Sequence, residues 1–171
     1  IGLSMGGVIA LEMWRQQPGR ITAFVLADTF AWHPQAQGLV ERSHTALQTT
    51  TLHDFAEARV GGLLAPGYSP ENAAAVIRQM GGIDPRTYHW ATVAVWTPDF
   101  RADLPRITQP TLILVGEHDH LTPIDLAETL HVGIPQSQLE VIPGAGHISN
   151  LDQPQIFDAL IADFLAQNAI A

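Results

Sequence analysis

Three residues of this sequence have side chains that can act together on a carbonyl group: Ser4, Asp119 and His147. A serine hydroxyl is a weak nucleophile near neutral pH and needs an adjacent base. Histidine suits that role because its unperturbed pKa is about 6.5. A carboxylate can then hold the imidazole in one tautomer and stabilise the imidazolium. The three residue types therefore predict nucleophilic chemistry, provided that the fold brings them together.

Ser4 lies within the pattern Gly2-x-Ser4-x-Gly6. This spacing is typical of a sharp turn from a strand into a helix, where a strained backbone projects the serine hydroxyl clear of the sheet. Small neighbours are expected because strand and helix pass close together at the turn. The helix that follows directs backbone N–H groups toward negative charge forming near the serine. The pattern favours a nucleophile elbow, and a glycine-rich turn or an ordinary helix start is the plainer alternative.

Asp119 and His147 each follow an apolar run, over 110–116 and 139–142 respectively. Continuous apolar runs are typical of buried parallel strands. In open α/β sheets, ligands bind beyond the carboxyl ends of the strands. All three residues therefore share one edge of the predicted sheet. Glu117 and Asp125 are alternatives to Asp119 as the acid.

A metal site is a second interpretation of the same loop, because His118 and His120 flank an acid. No third ligand has the helical spacing that such a site would need. We expect neither a metal nor a cofactor.

Composition excludes several classes of partner. The 171 residues carry a net charge of −9 and no cysteine. Nucleic acids and anionic membranes require a basic surface, and this sequence has no run of Lys or Arg. Disulfides and thiolate metal sites are excluded, and no apolar run reaches the ~20 residues that span a bilayer. We expect a cytoplasmic protein that acts on a small molecule.

The order of predicted elements indicates an α/β fold. Apolar runs over 21–27, 110–116 and 139–142 predict strands, and a helix is predicted after each. Thr122 is the predicted N-cap of one of these helices, with Pro123 at its first helical position, and the last helix covers 153–167. This alternation predicts a parallel sheet with crossover helices.

Residues 30–97 have a different character, because their apolar residues show no strand-like alternation. Glycine and proline pairs divide this block into short helical segments, predicted over 35–50, 52–64, 70–80 and 84–95. The block reads as a helical insertion over the strand ends, where lids are built. Residues 1–29 and 98–171 would form the core, and 30–97 the cap.

Three blocks of the sequence, 2–7, 110–119 and 146–151, resemble the α/β-hydrolase superfamily, in which the residues follow in the order Ser, Asp, His. Within it, the sequence is similar to 3-oxoadipate enol-lactonases and small carboxylesterases. Carbon–carbon bond hydrolases and cofactor-free haloperoxidases share these blocks. The similarity covers only the C-terminal part of the family's domain, so it implies a partial α/β-hydrolase fold with a helical cap insertion.

The resemblance implies roles for individual residues. Ser4 would be the nucleophile, His147 the general base and acid, and Asp119 its orienting partner. The Met5 N–H would be one oxyanion donor, and an acyl-enzyme would form from a carboxylic ester or lactone. The aromatic residues of the cap region would either wall an acyl pocket or form the core of the cap: Trp32, Trp90, Trp96 and Phe100.

Comparison with the family also implies that an N-terminal half is missing, including early strands and the loop that gives a second oxyanion N–H. We therefore expect the run 21–27 to form an open, apolar edge that favours self-association. Little turnover is expected from this chain alone, and more when the N-terminal half is supplied. The rival hypothesis is a non-catalytic module of the same fold that binds a small ligand or a partner.

Overall fold

One sheet of four parallel strands forms the centre of the computed structural model, which describes residues 1–169. The strands are adjacent in chain order: β1 (Gly2–Leu3), β2 (Phe24–Ala27), β3 (Thr111–Gly116) and β4 (Ser137–Ile142). A helix connects β1 to β2 and β3 to β4, and a helical insertion connects β2 to β3. The predicted parallel sheet with crossover helices is confirmed.

Both faces of the sheet are covered, which explains the unbroken apolar runs of β2 and β3. Phe24 and Leu26 face one core cluster, whereas Val25 and Ala27 face the other. The first cluster includes Trp14 from the helix after Ser4, and the second includes residues from the last helix of the chain. The strands therefore hold their carboxyl ends rigidly in register.

The helices of the core are α1 (Met5–Gln16), α6 (Ile124–Gly133), α7 (Ser149–Asp152) and α8 (Pro154–Gln167). The prediction of Thr122 as the N-cap of α6 is wrong, because Pro123 occupies that position. The Thr122 side chain instead donates its hydrogen to the Asp119 carboxylate, with 2.6 Å between the oxygens. The same oxygen lies 3.2 Å from His147 Nδ1, so it faces the loop of Asp119 and His147 and not the first turn of α6.

The insertion between β2 and β3 contains α2 (Ala36–Thr49), α3 (Leu52–Arg59), α4 (Pro70–Gly81) and α5 (Pro85–Trp96). Thr51, Ser69 and Asp84 cap three of these helices by accepting backbone N–H groups. A small apolar cluster around Val60, Leu64 and Val76 holds α4 to the turn after α3. The segment has a core of its own and is helical throughout its regular structure, with no strand in the part that the structure describes.

The expected open edge at 21–27 is covered only at its end, because the two residues of β1 lie outside Leu26 and Ala27. Gly2 and Leu3 pair with Leu26 and Ala27, so β1 forms the edge of the sheet. Strand pairing consequently reaches the residue just before Ser4.

The outer face of α1 carries a row of exposed apolar side chains. Met5, Ile9 and Met13 are 44%, 49% and 54% exposed. Their spacing of four residues puts them on one side of the helix, opposite the buried Leu11.

Within residues 1–169, none of the helices has the length and apolar character required to cross a bilayer.

Candidate active site

The structure brings Ser4, His147 and Asp119 into one hydrogen-bonded chain. His147 Nε2 lies 2.8 Å from Ser4 Oγ, and His147 Nδ1 lies 2.9 Å from Asp119 Oδ2. A carboxylate only accepts, so Nδ1 carries the hydrogen and Nε2 is left to accept from the serine hydroxyl. Both His147 and Asp119 are buried. This arrangement can remove a proton from Ser4 Oγ.

Ser4 occupies a strained backbone conformation between β1 and α1. Its φ of 52° and ψ of −117° lie in a region that costs a residue other than glycine about 1–3 kcal/mol. The Ser4 N–H donates to the Ala27 carbonyl at 2.9 Å, and the Thr29 hydroxyl donates to the Ser4 carbonyl at 2.8 Å. The end of β2 and the residues that follow it thus hold the N–H and the carbonyl of Ser4.

Close packing at the turn involves Gly2, as expected, and Gly7 in place of Gly6. A Cβ at Gly2 would collide with the backbone of Gly6, as the spacing predicts. A Cβ at Gly6 would meet no atom within 4 Å, whereas one at Gly7 would lie 2.5 Å from the Thr29 side chain. The helix approaches the sheet at Gly7, and the requirement for a small residue at Gly6 was wrong within the described structure.

Asp119 is held by more than His147. The N–H groups of Leu121 and Thr122 donate to its Oδ1 at 2.9 and 2.8 Å, and the Thr122 hydroxyl donates to its Oδ2. Burial raises the pKa of this carboxyl, but the hydrogen bond and charge of His147, together with the Thr122 donors, outweigh burial and hold the pKa below its usual range. Asp119 is therefore an anion that faces the imidazole.

A second buried carboxylate, Asp28, lies at the carboxyl end of β2. Its Oδ1 accepts the Gly116 N–H at 2.9 Å, and its Oδ2 accepts the Ser149 hydroxyl at 2.6 Å. Burial raises the pKa of Asp28 to about 6, against the lowering effects of Ser149 and His147. Sequence reasoning missed this residue, although its position just after a buried strand is the signal that identified Asp119.

Among residues 1–169, neither the alternative acids nor the flanking histidines are hydrogen-bonded to the His147 imidazole. Glu117 accepts the Gly144 N–H at 2.9 Å, and Asp125 is an exposed residue in the first turn of α6. His118 lies 3.8 Å from Glu117. Over the described part of the chain, no three His, Cys, Asp or Glu side chains form a group that could hold a metal ion.

The Met5 N–H is the first backbone donor of α1. The amide groups of Gly7 and Val8 are used by the Ser4 carbonyl. Among residues 1–169, no acceptor is hydrogen-bonded to the Met5 N–H. A helix N-terminus favours negative charge, so this donor is available to an oxyanion formed beside Ser4.

The four aromatic residues expected to wall an acyl pocket do not form a single group. Trp96 and Phe100 belong to the core cluster, with 7% and 2% exposure, and Trp96 stacks on Phe30. Trp90 is 69% exposed, and Trp32 lies under the Arg101 guanidinium at 4.0 Å. The alternative that these residues form structural core fits Trp96 and Phe100, because large aromatic rings fill the space between the insertion and α1.

The helical insertion contacts the loop that carries His147. Asp152 joins the two, because its Oδ2 accepts N–H groups from both Ala65 and Gly146 at 2.8 Å. The Ile148 N–H donates to the Leu63 carbonyl at 3.1 Å. The insertion is therefore anchored beside the histidine.

His33 anchors the start of the insertion to the acid loop. Its Nδ1 accepts the Gln35 N–H at 3.1 Å, which leaves Nε2 to donate to the Leu121 carbonyl at 3.1 Å. Burial lowers the pKa of His33, so the neutral tautomer is favoured. Sequence reasoning did not single out this histidine.

The sequence and the fold of this chain were compared with those of known proteins. A sequence model of the alpha/beta hydrolase family matches residues 1–160. The 3-oxoadipate enol-lactonase 2 of Acinetobacter baylyi is 29% identical over 160 residues, which cover 92% of this chain and 59% of the lactonase.

Solved structures agree. A thermophilic esterase from Thermogutta terrifontis, with malate bound, has a TM-score of 0.88 and 29% identity, over 98% of this chain and 64% of the esterase. A hydrolase from Pseudomonas aeruginosa has a TM-score of 0.87 and 30% identity, over 96% of this chain and 63% of that protein. The chain thus spans about three fifths of the length of these relatives. Its sequence match and its sheet topology together assign it to a family: the chain belongs to the alpha/beta hydrolases.

Proposed function

We propose that the protein hydrolyses a carboxylic ester or lactone through an acyl-enzyme on Ser4. The observation that carries the proposal is the pair of hydrogen bonds of His147, at 2.8 Å to Ser4 and 2.9 Å to Asp119. These distances lie within the range for a nucleophile and its general base. Lactonases and esterases among the relatives support the same class of substrate.

The first half of the reaction would form the acyl-enzyme. His147 Nε2 takes the proton of Ser4 Oγ while that oxygen adds to the substrate carbonyl carbon. The Met5 N–H stabilises the resulting oxyanion, and Asp119 stabilises the imidazolium. Collapse of the intermediate breaks the bond to the leaving oxygen, which takes the proton from Nε2. From a lactone, the leaving hydroxyl remains part of the same molecule.

The second half would release the acid. A water molecule gives a proton to His147 Nε2 as its oxygen adds to the acyl carbon. Collapse then returns the proton to Ser4 Oγ and frees the carboxylic acid. Microscopic reversibility gives the same residues the same roles in both halves.

The helical insertion of residues 30–97 would act as the cap over this site. Its contacts through Asp152 and Leu63 support that role because both reach the residues beside His147. A cap anchored in this way would limit the access of water to the acyl-enzyme.

The test is hydrolysis of p-nitrophenyl acetate and of a lactone such as dihydrocoumarin by the protein and by its Ser4→Ala and Asp119→Asn variants. Each is assayed alone and with the N-terminal half of the family's domain supplied, because little turnover is expected from this chain alone. We expect Ser4→Ala to remove turnover and Asp119→Asn to lower kcat by about 10⁴-fold, because the amide favours the wrong imidazole tautomer. Circular dichroism controls for folding. Turnover that persists in a folded Ser4→Ala variant would contradict the proposal. The rival hypothesis of a non-catalytic binding module predicts no turnover that depends on Ser4.

A further inference from the structure

The residues at the end of β2 contact every part of the proposed active site. Ala27 accepts the N–H of Ser4, and Thr29 donates to its carbonyl. Asp28 lies between them and is fully buried. Its own N–H donates to the Leu114 carbonyl of β3 at 2.8 Å, so its backbone is fixed to the neighbouring strand. From this fixed point the Asp28 side chain reaches the end of β3 and the segment after β4.

The Asp28 carboxylate accepts three hydrogen bonds from these two segments. Oδ1 accepts the Gly116 N–H at 2.9 Å, and Oδ2 accepts the hydroxyl and the N–H of Ser149 at 2.6 and 3.3 Å. Gly116 is three residues before Asp119, and Ser149 is two residues after His147. One side chain therefore joins the two segments whose own side chains meet at 2.9 Å in the site.

The partners of Asp28 fit an ionised carboxylate. Each of the three bonds is donated to it, by two backbone N–H groups and one hydroxyl. An ionised carboxylate only accepts, whereas a protonated carboxyl has a hydrogen of its own to donate. A hydrogen on Oδ2 would compete with the two that Ser149 donates, and a hydrogen on Oδ1 would compete with the Gly116 N–H. Protonation of Asp28 must therefore weaken the connection between the two segments.

Ionisation of Asp28 lowers the stability of the fold. Burial raises the pKa of this carboxyl to about 6, although the Ser149 hydrogen bond and the charge of His147 lower it. The charge of Asp119 raises this pKa further. The anion that fits the three donors thus reduces the free energy of unfolding near neutral pH. Carboxyls with a pKa raised by burial are concentrated at functional sites, and Asp28 lies beside one.

We propose that Asp28 is a positioning residue for the proposed hydrolysis, and that its carboxylate must be ionised for Asp119 and His147 to keep their productive spacing. Asp28 acts through Gly116 and Ser149, not by contact with the substrate. Protonation of Asp28 releases the His147 segment from the end of β2, so the imidazole loses its alignment with the nucleophile. The inference rests on the proposed function, because it concerns the general base of the same reaction.

The first experiment observes the geometry of the site without turnover. The hydrogen on His147 Nδ1, which is bonded to Asp119, should give a proton NMR resonance far downfield, and its absence from His147→Ala identifies it. Ser149→Ala removes the hydroxyl donor but leaves the charge of Asp28, whereas Asp28→Asn removes the charge. We expect both changes to broaden or abolish the resonance at about pH 7. Ser149→Thr keeps the hydroxyl and should retain the resonance.

Matched variants separate this role from general damage to the fold. Ser137→Ala removes a hydroxyl that donates to the Ile134 carbonyl at 2.8 Å, at the opposite end of β4 from the site. Asp158→Asn removes an exposed carboxylate of α8. Neither change should alter the resonance. Urea denaturation shows whether each variant is folded, and Ser149→Ala tests the proposal even if Asp28→Asn does not fold.

The second experiment measures kcat/KM for p-nitrophenyl acetate against pH, with the N-terminal half of the family's domain supplied if the chain alone shows no turnover. In wild type, Asp28 and His147 must both lose a proton, so log kcat/KM should approach a slope of about 2 at the acidic end of the profile. Ser149→Ala should lower kcat by about 10- to 100-fold and keep this slope. Asp28→Asn should also lower kcat, but the slope should fall to about 1 because one titrating group is gone.

The two measurements distinguish failure of this inference from failure of the proposed hydrolysis. An unchanged resonance in both Asp28→Asn and Ser149→Ala would overturn the positioning role of Asp28. The same slope in wild type and in Asp28→Asn would overturn the requirement for an ionised carboxylate. Turnover that does not depend on Ser4, together with a resonance that is lost in both variants, would overturn the proposed hydrolysis and leave the role of Asp28 in the geometry intact.

Discussion

The Asp28 carboxylate accepts a hydrogen bond from the Ser149 hydroxyl at 2.6 Å, and this bond ties the end of β2 to the segment that carries His147. The same carboxylate accepts the N–H of Gly116, three residues before Asp119. One buried side chain thus contacts both loops that supply the partners of Ser4. The Asp28 carboxylate is also close enough to be attracted by the His147 imidazolium and repelled by the Asp119 carboxylate.

The first prediction concerns the pH dependence of stability in Asp28→Asn. Burial raises the pKa of Asp28 from 3.8 to about 6 in the folded protein, so folding favours the protonated acid. Wild-type stability from this group is complete below about pH 4 and is lost as the pH rises through about 6. The asparagine does not titrate and suits the positive φ of 47° at this position. Relative to wild type, the variant should therefore gain up to about 3 kcal/mol of unfolding free energy between pH 4 and pH 7.

Urea denaturation at several pH values measures this difference. Asp158→Asn, at an exposed position of α8, is the control and should show no such trend. A constant difference between Asp28→Asn and wild type from pH 4 to pH 7 would show that Asp28 titrates as an ordinary surface acid.

A second prediction concerns the donor to Asp119. Thr122→Val keeps the shape of the side chain but removes the hydroxyl that donates to Asp119 Oδ2. Loss of this hydrogen bond to a buried carboxylate should lower the unfolding free energy by about 1–3 kcal/mol at pH 7. The pKa of Asp119 should rise toward its unfolded-state value, so less stability should be lost on acidification than in wild type.

Thr129→Val is the matched control, because the Thr129 hydroxyl donates to the Asp125 carbonyl on the exposed side of α6. Thermal and urea unfolding of the two variants give the comparison. The account of the Asp119 site is contradicted if both variants are equally stable and both lose as much stability on acidification as wild type.

The third prediction concerns the turn at Ser4. In Gly7→Ala, the new methyl group would lie 2.5 Å from Thr29, the residue that also bonds to the Ser4 carbonyl. Overpacking of this kind should cost about 1–3 kcal/mol and displace the serine. Gly6→Ala meets no atom within 4 Å in the described structure, and alanine favours a helix over glycine by up to about 1 kcal/mol. Unfolding free energies of the two variants should therefore change in opposite directions, and a larger loss in Gly6→Ala would refute the packing described at this turn.

Much of the fold follows from the sequence because its strands are buried on both faces. The strands β2 and β3 could be predicted from their own residues, without knowledge of the neighbouring strands, because a continuous apolar run is typical of a central parallel strand. The meeting of Ser4, Asp119 and His147 followed from the common position after strands. That inference required only that the sheet be parallel.

The unpredicted features depend on which side chain faces which neighbour. Thr122 before a proline has the pattern of an N-cap, and only the position of Asp119 reveals its other use. The pair of Asp28 and Ser149 joins residues 121 positions apart and depends on the order of the strands. Trp96 and Phe100 show the same difficulty, because an aromatic residue in a helical insertion can face a cavity or the core, and the sequence does not distinguish them.

The central claim is that Ser4 Oγ forms a covalent bond to the acyl group. The most direct measurement is mass spectrometry of peptides from protein that has been mixed briefly with p-nitrophenyl acetate and quenched in acid. The account predicts one acetyl group on the peptide that contains Ser4, absent from Ser4→Ala and strongly reduced in His147→Ala. Ester hydrolysis that proceeds equally well in Ser4→Ala, or an acetyl group carried only by other residues, would contradict it.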